Sequence, residues 1–284
     1  MIVVNMACGL ANRMFQYSYY LYLKKLGYDV LVDYYRTAKL AHENVAWNRI
    51  FPKADIERVS QWKVFLLGGG SGLCSKIRRR YLPFTTRVVY TASLPDKNGK
   101  DAYLFGVFQN AQMVDAIKDE VLQAFSFSPF TDERNRILME DMQSSECVAI
   151  VVRKGMDYQS RIWYQNTCPV AYYTKAIDRI KQEIAHPKFY VFADNHEWVK
   201  EHFKDFEYTL IEGNPTSGWG AHFDMQLMSC CKHAIVSNST YGWWGAYLND
   251  SQNRMVILPK IWFNPQSCED YTSAKLLCKG WISL

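Results

Sequence analysis

The second half of the chain alternates short apolar runs with longer segments of helical periodicity. The runs have the length of buried strands, and they are 147–152, 189–193, 208–212, 234–237 and 255–259. The segments between them place apolar side chains at helical spacing, and they are 170–184, 196–203, 219–231 and 241–248. Regular alternation of this kind predicts a parallel sheet with helices on both faces.

The first half opens with the same pattern and then becomes less regular. Residues 1–6 form an apolar run, 11–26 have helical spacing that ends at Gly27, and 29–33 form a second run. A glycine directly after a helical pattern is a common helix terminator. The pattern therefore predicts a strand, a helix and a second strand.

The later part of the first half predicts a strand at 103–108 and an amphipathic helix at 112–125. We place the domain boundary in the mostly charged and polar stretch 131–145, because domain boundaries fall in exposed polar linkers. We therefore predict an amino-terminal α/β domain, residues 1–145, and a carboxyl-terminal Rossmann-like domain, residues 146–284.

Composition narrows the class of protein. The 284 residues are 49% hydrophobic and 21% charged, which is typical of a folded globular protein. The net charge of +5 suits an anionic ligand or membrane surface but is too small for a dedicated nucleic-acid binder. The eight cysteines have no metal-binding or disulfide-framework spacing. With no signal peptide and no apolar run of about 20 residues, we expect a cytoplasmic location.

Polar residues follow three of the predicted strands in the second half. Arg153 and Lys154 follow the first, Asp194 follows the next, and Ser239 and Thr240 begin a helix after a third. Ligands of parallel sheets bind outside the carboxyl ends of the strands. Arginine binds diphosphate oxygens with its planar fork, and a helix amino terminus attracts anions. The set predicts a site for a phosphorylated ligand.

Each of these features also has a simpler interpretation. Ser239 and Thr240 can be an ordinary helix cap, Asp194 can cap the helix that follows it, and Arg153 with Lys154 can be a solvated basic pair. In the first half, Gly9 lies in a turn that opens a helix, as a phosphate-binding loop would. That turn matches neither the dinucleotide-binding nor the P-loop motif.

Eight segments resemble those of the family-11 glycosyltransferases, the bacterial α-1,2-fucosyltransferases. Gly9-Leu-Ala-Asn-Arg-Met-Phe-Gln-Tyr17 resembles the family pattern G-L-G-N-Q-M-F-Q-Y, and Val151-Val-Arg-Lys-Gly-Met-Asp-Tyr158 resembles H-V-R-R-G-D-Y. The segments keep the family order along nearly the whole chain, and they are 6–17, 103–109, 151–158, 172–177, 192–195, 224–233, 238–249 and 259–264.

The resemblance implies a GT-B architecture of two Rossmann-type domains with the active site in the interdomain cleft. It also implies GDP-fucose as the donor, a galactose-containing glycan as the acceptor, inversion to an α-1,2 linkage, and no metal or other cofactor. By the same comparison, Arg153 would bind the diphosphate and stabilise the departing GDP. Ser239 and Thr240 would contact the phosphates, and Asp194 would lie near the guanosine.

Two further roles follow from the resemblance or from position in the loop. Gly9 and Asn12 would bring the amino-terminal loop to donor and acceptor. Asp157, which follows Arg153 closely, is a candidate general base, and its alternative role is structural, either to orient Arg153 or to cap the loop. His222 and Asp224 are weaker candidates for the base.

The chain departs from the family pattern near these residues. Val151 stands where the family has a histidine, Lys154 where it has an arginine, and Arg13 where it has a glutamine. Asn195 stands where the family has an aspartate, and Met156 is an extra residue. These departures leave two alternatives to a fucosyltransferase. One is a transferase that uses another nucleotide-sugar, and the other is a non-catalytic glycan-binding protein.

The sequence also contains a basic run at residues 76–80. It is either a solvated face or a contact with anionic lipid headgroups. The second interpretation fits an enzyme that acts on a lipid-linked oligosaccharide at the inner face of a membrane.

Overall fold

The computed structural model describes residues 1–34, 45–70, 73–82, 87–89, 94–97 and 99–284, apart from the side chain of Asp157. The chain divides into two compact units. The first comprises residues 1–126 and 217–219, and the second comprises residues 127–216 and 220–284. The polar stretch 131–145, where the sequence predicts the domain boundary, lies in the second unit and is largely helical.

The first unit contains a parallel sheet, which in the described residues has four strands in the order β2-β1-β4-β3. The strands are β1 (Ile2–Asn5), β2 (Val30–Asp33), β3 (Val88–Val89) and β4 (Ala102–Leu104). The helices are α1 (Leu10–Lys25), α2 (Trp47–Ile50), α3 (Gln61–Leu66), α4 (Leu73–Tyr81), α5 (Ala111–Asp115) and α6 (Lys118–Ala124).

The opening strand, helix and strand are confirmed within one or two residues. Helix α1 begins after Gly9 and is followed by Gly27, whose φ of 79° lies in the left-handed region that favours glycine. The predicted helix 112–125 is two helices instead. Asn110 caps α5 by accepting a hydrogen bond from the Met113 N–H, and Ile117 at φ −130° interrupts the helix before α6.

The second unit contains a parallel sheet of six described strands in the order β10-β9-β8-β5-β6-β7. The strands are β5 (Cys147–Val152), β6 (Lys188–Ala193), β7 (Thr209–Ile211), β8 (His233–Ile235), β9 (Val256–Leu258) and β10 (Ile282–Ser283). The helices are α7 (Glu133–Gln143), α8 (Met156–Ser160), α9 (Val170–Glu183), α10 (His196–His202), α11 (Phe223–Cys230) and α12 (Thr240–Tyr247).

The strand order fixes where a ligand can bind. From β5 the chain adds β6 and β7 on one side, then returns to add β8, β9 and β10 on the other. The order reverses between β5 and β8, and ligands of doubly wound sheets bind at the carboxyl ends of the strands at such a point. The carboxyl ends of β5 and β8 lead into Arg153 and into the turn before α12.

The two faces of this sheet are covered differently. On one face, side chains of β5 such as Ile150 pack with Tyr173 of α9 and Val199 of α10 in a buried apolar core. On the other face, α12 lies directly against β5. A Cβ atom added to Gly242 would lie only 2.8 Å from Cγ1 of Val151, so glycine permits the close approach of helix and strand.

We expect Gly242→Ala to lower the free energy of unfolding by about 1–2 kcal/mol, although alanine normally favours a helix interior by about 1 kcal/mol over glycine. The reason is steric, because the β-branched Val151 side chain is stiff and fully packed. Urea unfolding of the two single variants and the double variant measures this. In a Val151→Ala background the same change should be neutral or stabilising, whereas additive effects would contradict the contact.

Candidate functional site

The loop between β5 and α8 is held in place by an acid from the neighbouring strand. Val152 pairs with Ala193, so Arg153 and Asp194 leave the sheet side by side. The backbone N–H groups of Lys154 and Gly155 both donate to Oδ1 of Asp194, at 2.6 and 2.7 Å. This carboxylate therefore fixes the backbone on which Arg153 is carried.

The environment of Asp194 explains its electrostatic state. Burial raises the pKa of the Asp194 carboxyl above its ordinary value, and the hydrogen bonds from Lys154 and Gly155 oppose that rise because they favour the ionised form. Glycine is required at 155 for space, since an added Cβ would lie 2.8 Å from Cγ of Asp194. The acid and the glycine together keep the loop close to β6.

Arg153 lies at the point where the strand order reverses. Its Nη1 donates to the backbone carbonyl of Asn238, in the turn after β8, at 3.0 Å. Its guanidinium carbon lies 4.0 Å from the ring centroid of Tyr164, a cation–π geometry. The two contacts fix the guanidinium across the carboxyl ends of β5 and β8.

A second cation accompanies Arg153. Lys154 is only 5% exposed, and its ammonium lies 3.9 Å from the ring centroid of Tyr158 and 5.3 Å from that of Trp198. Among the described residues the ammonium forms no ion pair with a carboxylate. Two cations at one strand end, with Asp194 bonded to backbone, suit an anionic ligand.

The turn after β8 presents hydroxyl groups and a helix amino terminus. Ser239 caps α12, since its Oγ accepts a hydrogen bond from the Gly242 N–H at 3.4 Å, and Thr240 is the first helical residue. The simpler interpretation of Ser239 as a helix cap is therefore confirmed. It does not exclude an anion here, because a helix amino terminus carries partial positive charge.

Two neighbouring segments fasten this turn. The side-chain amide of Asn238 donates to the Trp262 carbonyl at 3.2 Å, and the N–H of Asn264 donates to the Trp163 carbonyl at 2.8 Å. The segment carrying Trp163 also carries Tyr164, the ring beside Arg153. Sequence reasoning did not find the roles of Asn238 and Tyr164, since both depend on contacts between segments far apart in the chain.

The predicted residues of the first unit lie after β1. Gly9 is the residue before α1, with extended backbone, and Asn12 accepts a hydrogen bond at Oδ1 from Nε2 of Gln109 at 3.0 Å. Arg13, which replaces a family glutamine, is buried and donates through Nε to the Cys8 carbonyl at 2.8 Å. These contacts fix the loop that carries Gly9.

The structure describes the three candidates for the general base to different extents. The backbone of Asp157 lies in α8, but its side chain lies outside the described residues. Burial lowers the pKa of His222 to about 4, so its imidazole is neutral near pH 7. Burial also raises the pKa of Asp224, against the opposing hydrogen bond from Asn214. Asp224 thus accepts a hydrogen bond from Asn214, which lies in the connection between β7 and α11.

The alternative role of Asp194, as the cap of the helix that follows it, is wrong. The residue that caps α10 is Asn195, whose Oδ1 accepts a hydrogen bond from the Trp198 N–H at 3.0 Å. Asp194 holds the preceding loop instead.

The part of the chain that the structure describes contains no group of three or more histidine, cysteine or acidic side chains arranged to hold a metal ion.

Several glycosyltransferases are similar to this chain in sequence. An O-antigen biosynthesis glycosyltransferase of Escherichia coli, WbnK, is 28% identical over 97% of this chain and 98% of its own length. An α-1,2-colitosyltransferase of E. coli is 25% identical over 95% of each chain. The mouse galactoside α-(1,2)-fucosyltransferase 2 is 27% identical over 46% of this chain and 40% of its own length.

Solved structures agree on the fold. The fucosyltransferase NodZ from Bradyrhizobium aligns with a TM-score of 0.52 at 11% identity, over 86% of this chain and 91% of that chain. NodZ α-1,6-fucosyltransferase co-crystallised with GDP aligns with a TM-score of 0.53 at 12% identity, over 86% and 90%. The architecture is α/β, as the sequence pattern predicts, and GT-B-like, as the family resemblance implies. Since the model of glycosyl transferase family 11 matches residues 1–284, the chain belongs to that family of glycosyltransferases.

Proposed function

We propose that the protein transfers L-fucose from GDP-fucose to the 2-hydroxyl of a galactose-containing glycan, with inversion to an α-1,2 linkage and without a metal ion. The observation that carries the proposal is Arg153, fixed between β5 and β8 by Asn238 and Tyr164 where the strand order reverses. Relatives with α-1,2-fucosyltransferase activity by name support the choice of sugar and linkage.

Arg153 has the chemistry that the bond cleavage needs. Breaking the sugar–phosphate bond leaves negative charge on the departing GDP and positive charge on the sugar. A guanidinium can donate to two phosphate oxygens at once and does not lose its proton. A well-placed donor of this kind stabilises the transition state by about 3–4 kcal/mol. Lys154 and the amino terminus of α12, with Ser239 and Thr240, would add further positive potential at the phosphates.

The acceptor hydroxyl must lose a proton as it attacks the sugar. Asp157 is the proposed base, since it follows Arg153 closely in the chain and carboxylates are common general bases. Gly9 and Asn12 are proposed to contact donor and acceptor, as the family resemblance implies, and Asp194 to lie near the guanosine while it holds the loop of Arg153.

A second candidate is transfer of another sugar by the same fold. A relative that matches 95% of this chain is named an α-1,2-colitosyltransferase, so members of this similarity group differ in the sugar they transfer. Val151, where the family motif has a histidine, and Asn195, where it has an aspartate, are the departures in this chain that motivate a changed donor.

The nucleotide is tested by thermal unfolding with GDP, UDP, CDP and dTDP, each with and without EDTA. A ligand that binds only the native state stabilises it by RT ln(1 + [L]/Kd), about 2.7 kcal/mol at a hundredfold excess over Kd. We expect a shift with GDP that EDTA leaves unchanged. A shift with another nucleotide would overturn the donor, and loss of the GDP shift in EDTA would overturn the metal-free scheme.

The sugar is tested next, by measuring transfer from GDP-fucose and from other GDP-sugars to acceptors that end in galactose. Turnover from GDP-fucose with a new α-1,2 linkage is the expected result. Turnover only from another GDP-sugar would support the second candidate. Binding of GDP without turnover from any donor would support a non-catalytic glycan-binding protein.

The acceptor is proposed to be a lipid-linked oligosaccharide at the inner face of a membrane. The relative of E. coli that takes part in O-antigen biosynthesis, by its name, supports a surface glycan as the product. Among the described residues, no helix is both long enough and apolar enough to cross a bilayer. We propose a surface contact with lipid as the form of membrane association.

A further inference from the structure

Helix α4 in the first unit carries a row of apolar side chains on its exposed side. Leu73, Ile77 and Tyr81 are 73%, 48% and 69% exposed. They are spaced four residues apart, so they lie along one face of the helix. Single exposed apolar residues are common in proteins, but a row of three along one short helix is not explained by chance exposure.

The opposite side of α4 faces the unit. Ser75 is buried there, and the two arginines one helical turn after it donate hydrogen bonds to the end of α3. Arg78 donates through Nη1 to the Phe65 carbonyl at 2.7 Å, and Arg79 donates through Nη1 to the Gly68 carbonyl at 2.7 Å. These contacts fix which side of α4 faces outward.

Two cations remain on the outward side. Lys76 and Arg80 are both exposed and lie beside the apolar row, at the spacing of three and four residues. Within the part of the chain that the structure describes, neither side chain forms an ion pair. The guanidinium of Arg80 lies 6.0 Å from the ring centroid of Tyr81.

Helix α3 extends the same type of surface. Trp62 and Leu66, four residues apart, are both exposed. Leu66 lies at the end of α3 to which α4 is bonded, since its own carbonyl accepts a hydrogen bond from Nη2 of Arg78. Trp62 is held by stacking on Phe65, at 5.7 Å between ring centroids.

Apolar and aromatic side chains beside lysine and arginine form the pattern of an interfacial helix. Such helices lie in the plane of a membrane, with apolar side chains in the acyl boundary and cations at the anionic headgroups. We propose that the outward face of α3 and α4, the lipid face, docks the protein on an anionic bilayer. The exposed cations favour an anionic lipid surface over a neutral protein partner, and tryptophan and tyrosine are enriched at the membrane interface.

The lipid face is defined by seven residues, and they are Trp62, Leu66, Leu73, Lys76, Ile77, Arg80 and Tyr81. It gives the membrane contact of the proposed function a location. Its test needs no turnover, so the docking can fail while the transferase assignment stands, and the reverse also holds.

The test is co-sedimentation of the full chain with vesicles of phosphatidylcholine, with and without about a third phosphatidylglycerol. We expect binding to the anionic vesicles that weakens strongly at high salt, because exposed charges are screened within about 3 Å at 1 M. Each basic residue near the surface is worth about fivefold in binding. The double variant Ile77→Glu with Arg80→Glu should therefore bind at least about 20-fold more weakly.

A matched control makes the same chemical change elsewhere. Ile137 is 58% exposed and Arg136 is exposed, both on α7 in the second unit. Ile137→Glu with Arg136→Glu alters net charge equally and should bind vesicles like the unchanged protein. A third variant, Leu73→Ser with Ile77→Ser, keeps the charge and isolates the apolar contribution, so it should also bind more weakly.

Four results would overturn the proposal. One is equal loss of binding in the α4 double variant and the α7 control, which would mean a net-charge effect alone. Another is absence of binding to anionic vesicles, or equal binding to neutral ones. The last is a dimer, measured by light scattering, that the α4 variants dissociate, because the face would then contact a second copy of this chain. Unchanged thermal midpoints of the variants establish that they fold.

Discussion

Arg153→Ala is expected to lower kcat/KM for sugar transfer about 10²–10³-fold, the usual effect of removing one donor that stabilises developing negative charge. The side chain lies across β5 and β8 through its bond to the Asn238 carbonyl, so its loss removes the cation that is proposed to stabilise the departing nucleotide. The measurement is steady-state kinetics with the donor that the nucleotide panel identifies, together with the thermal midpoint of each variant.

Two companion variants sharpen this result. Arg153→Lys keeps the charge but loses the planar fork, and an intermediate loss of activity is expected because lysine binds phosphate as a point charge. Arg161→Ala is the matched control, since Arg161 is an exposed arginine nearby whose guanidinium lies 6.0 Å from the Trp163 ring centroid. The assignment is wrong if Arg161→Ala and Arg153→Ala reduce activity equally, or if Arg153→Ala retains a third of it.

Asp194→Ala is expected to lower the free energy of unfolding by about 2–5 kcal/mol. The N–H groups of Lys154 and Gly155 would lose their common acceptor, and each buried donor left without a partner costs about 1–3 kcal/mol. Activity should fall as well, because Arg153 is carried on the same loop. Urea unfolding and transfer kinetics on the same preparations measure both effects.

Asp194→Asn separates the two roles of this residue. The amide keeps an oxygen where Oδ1 accepts both hydrogen bonds but removes the negative charge, so most of the stability should return. If nucleotide affinity still falls in Asp194→Asn, the contact with the guanosine that the family resemblance implies gains support. If alanine and asparagine leave stability unchanged, the carboxylate does not fix the loop.

The sequence predicts the second unit well for a physical reason. Its central strands are buried on both faces and form continuous apolar runs, as 147–152 does, and its helices follow at helical period. The first unit is less predictable because its later strands are very short, with β3 only two residues long. Sequence periodicity cannot resolve such a strand.

Other differences arise from contacts that sequence patterns do not encode. The polar stretch 131–145 looks like a linker because α7 buries few of its side chains, among them Asn135 and Met142. Arg153 and Asp194, which each follow a predicted strand, lie side by side in the structure. That Asp194 binds backbone rather than capping α10 depends on the distance between two loops, which no spacing in the sequence reports.

Arg153 and the turn that holds its guanidinium come from distant parts of the second unit. Arg153 and the Asn238 carbonyl are 85 residues apart in sequence, and parallel pairing over such distances is slow because the loop must close before the contact forms. We therefore expect a nascent chain to lack the site until β8 has emerged and docked beside β5. A nucleotide that binds only the finished site would slow unfolding without accelerating folding, so the donor protects the mature enzyme rather than guiding its synthesis.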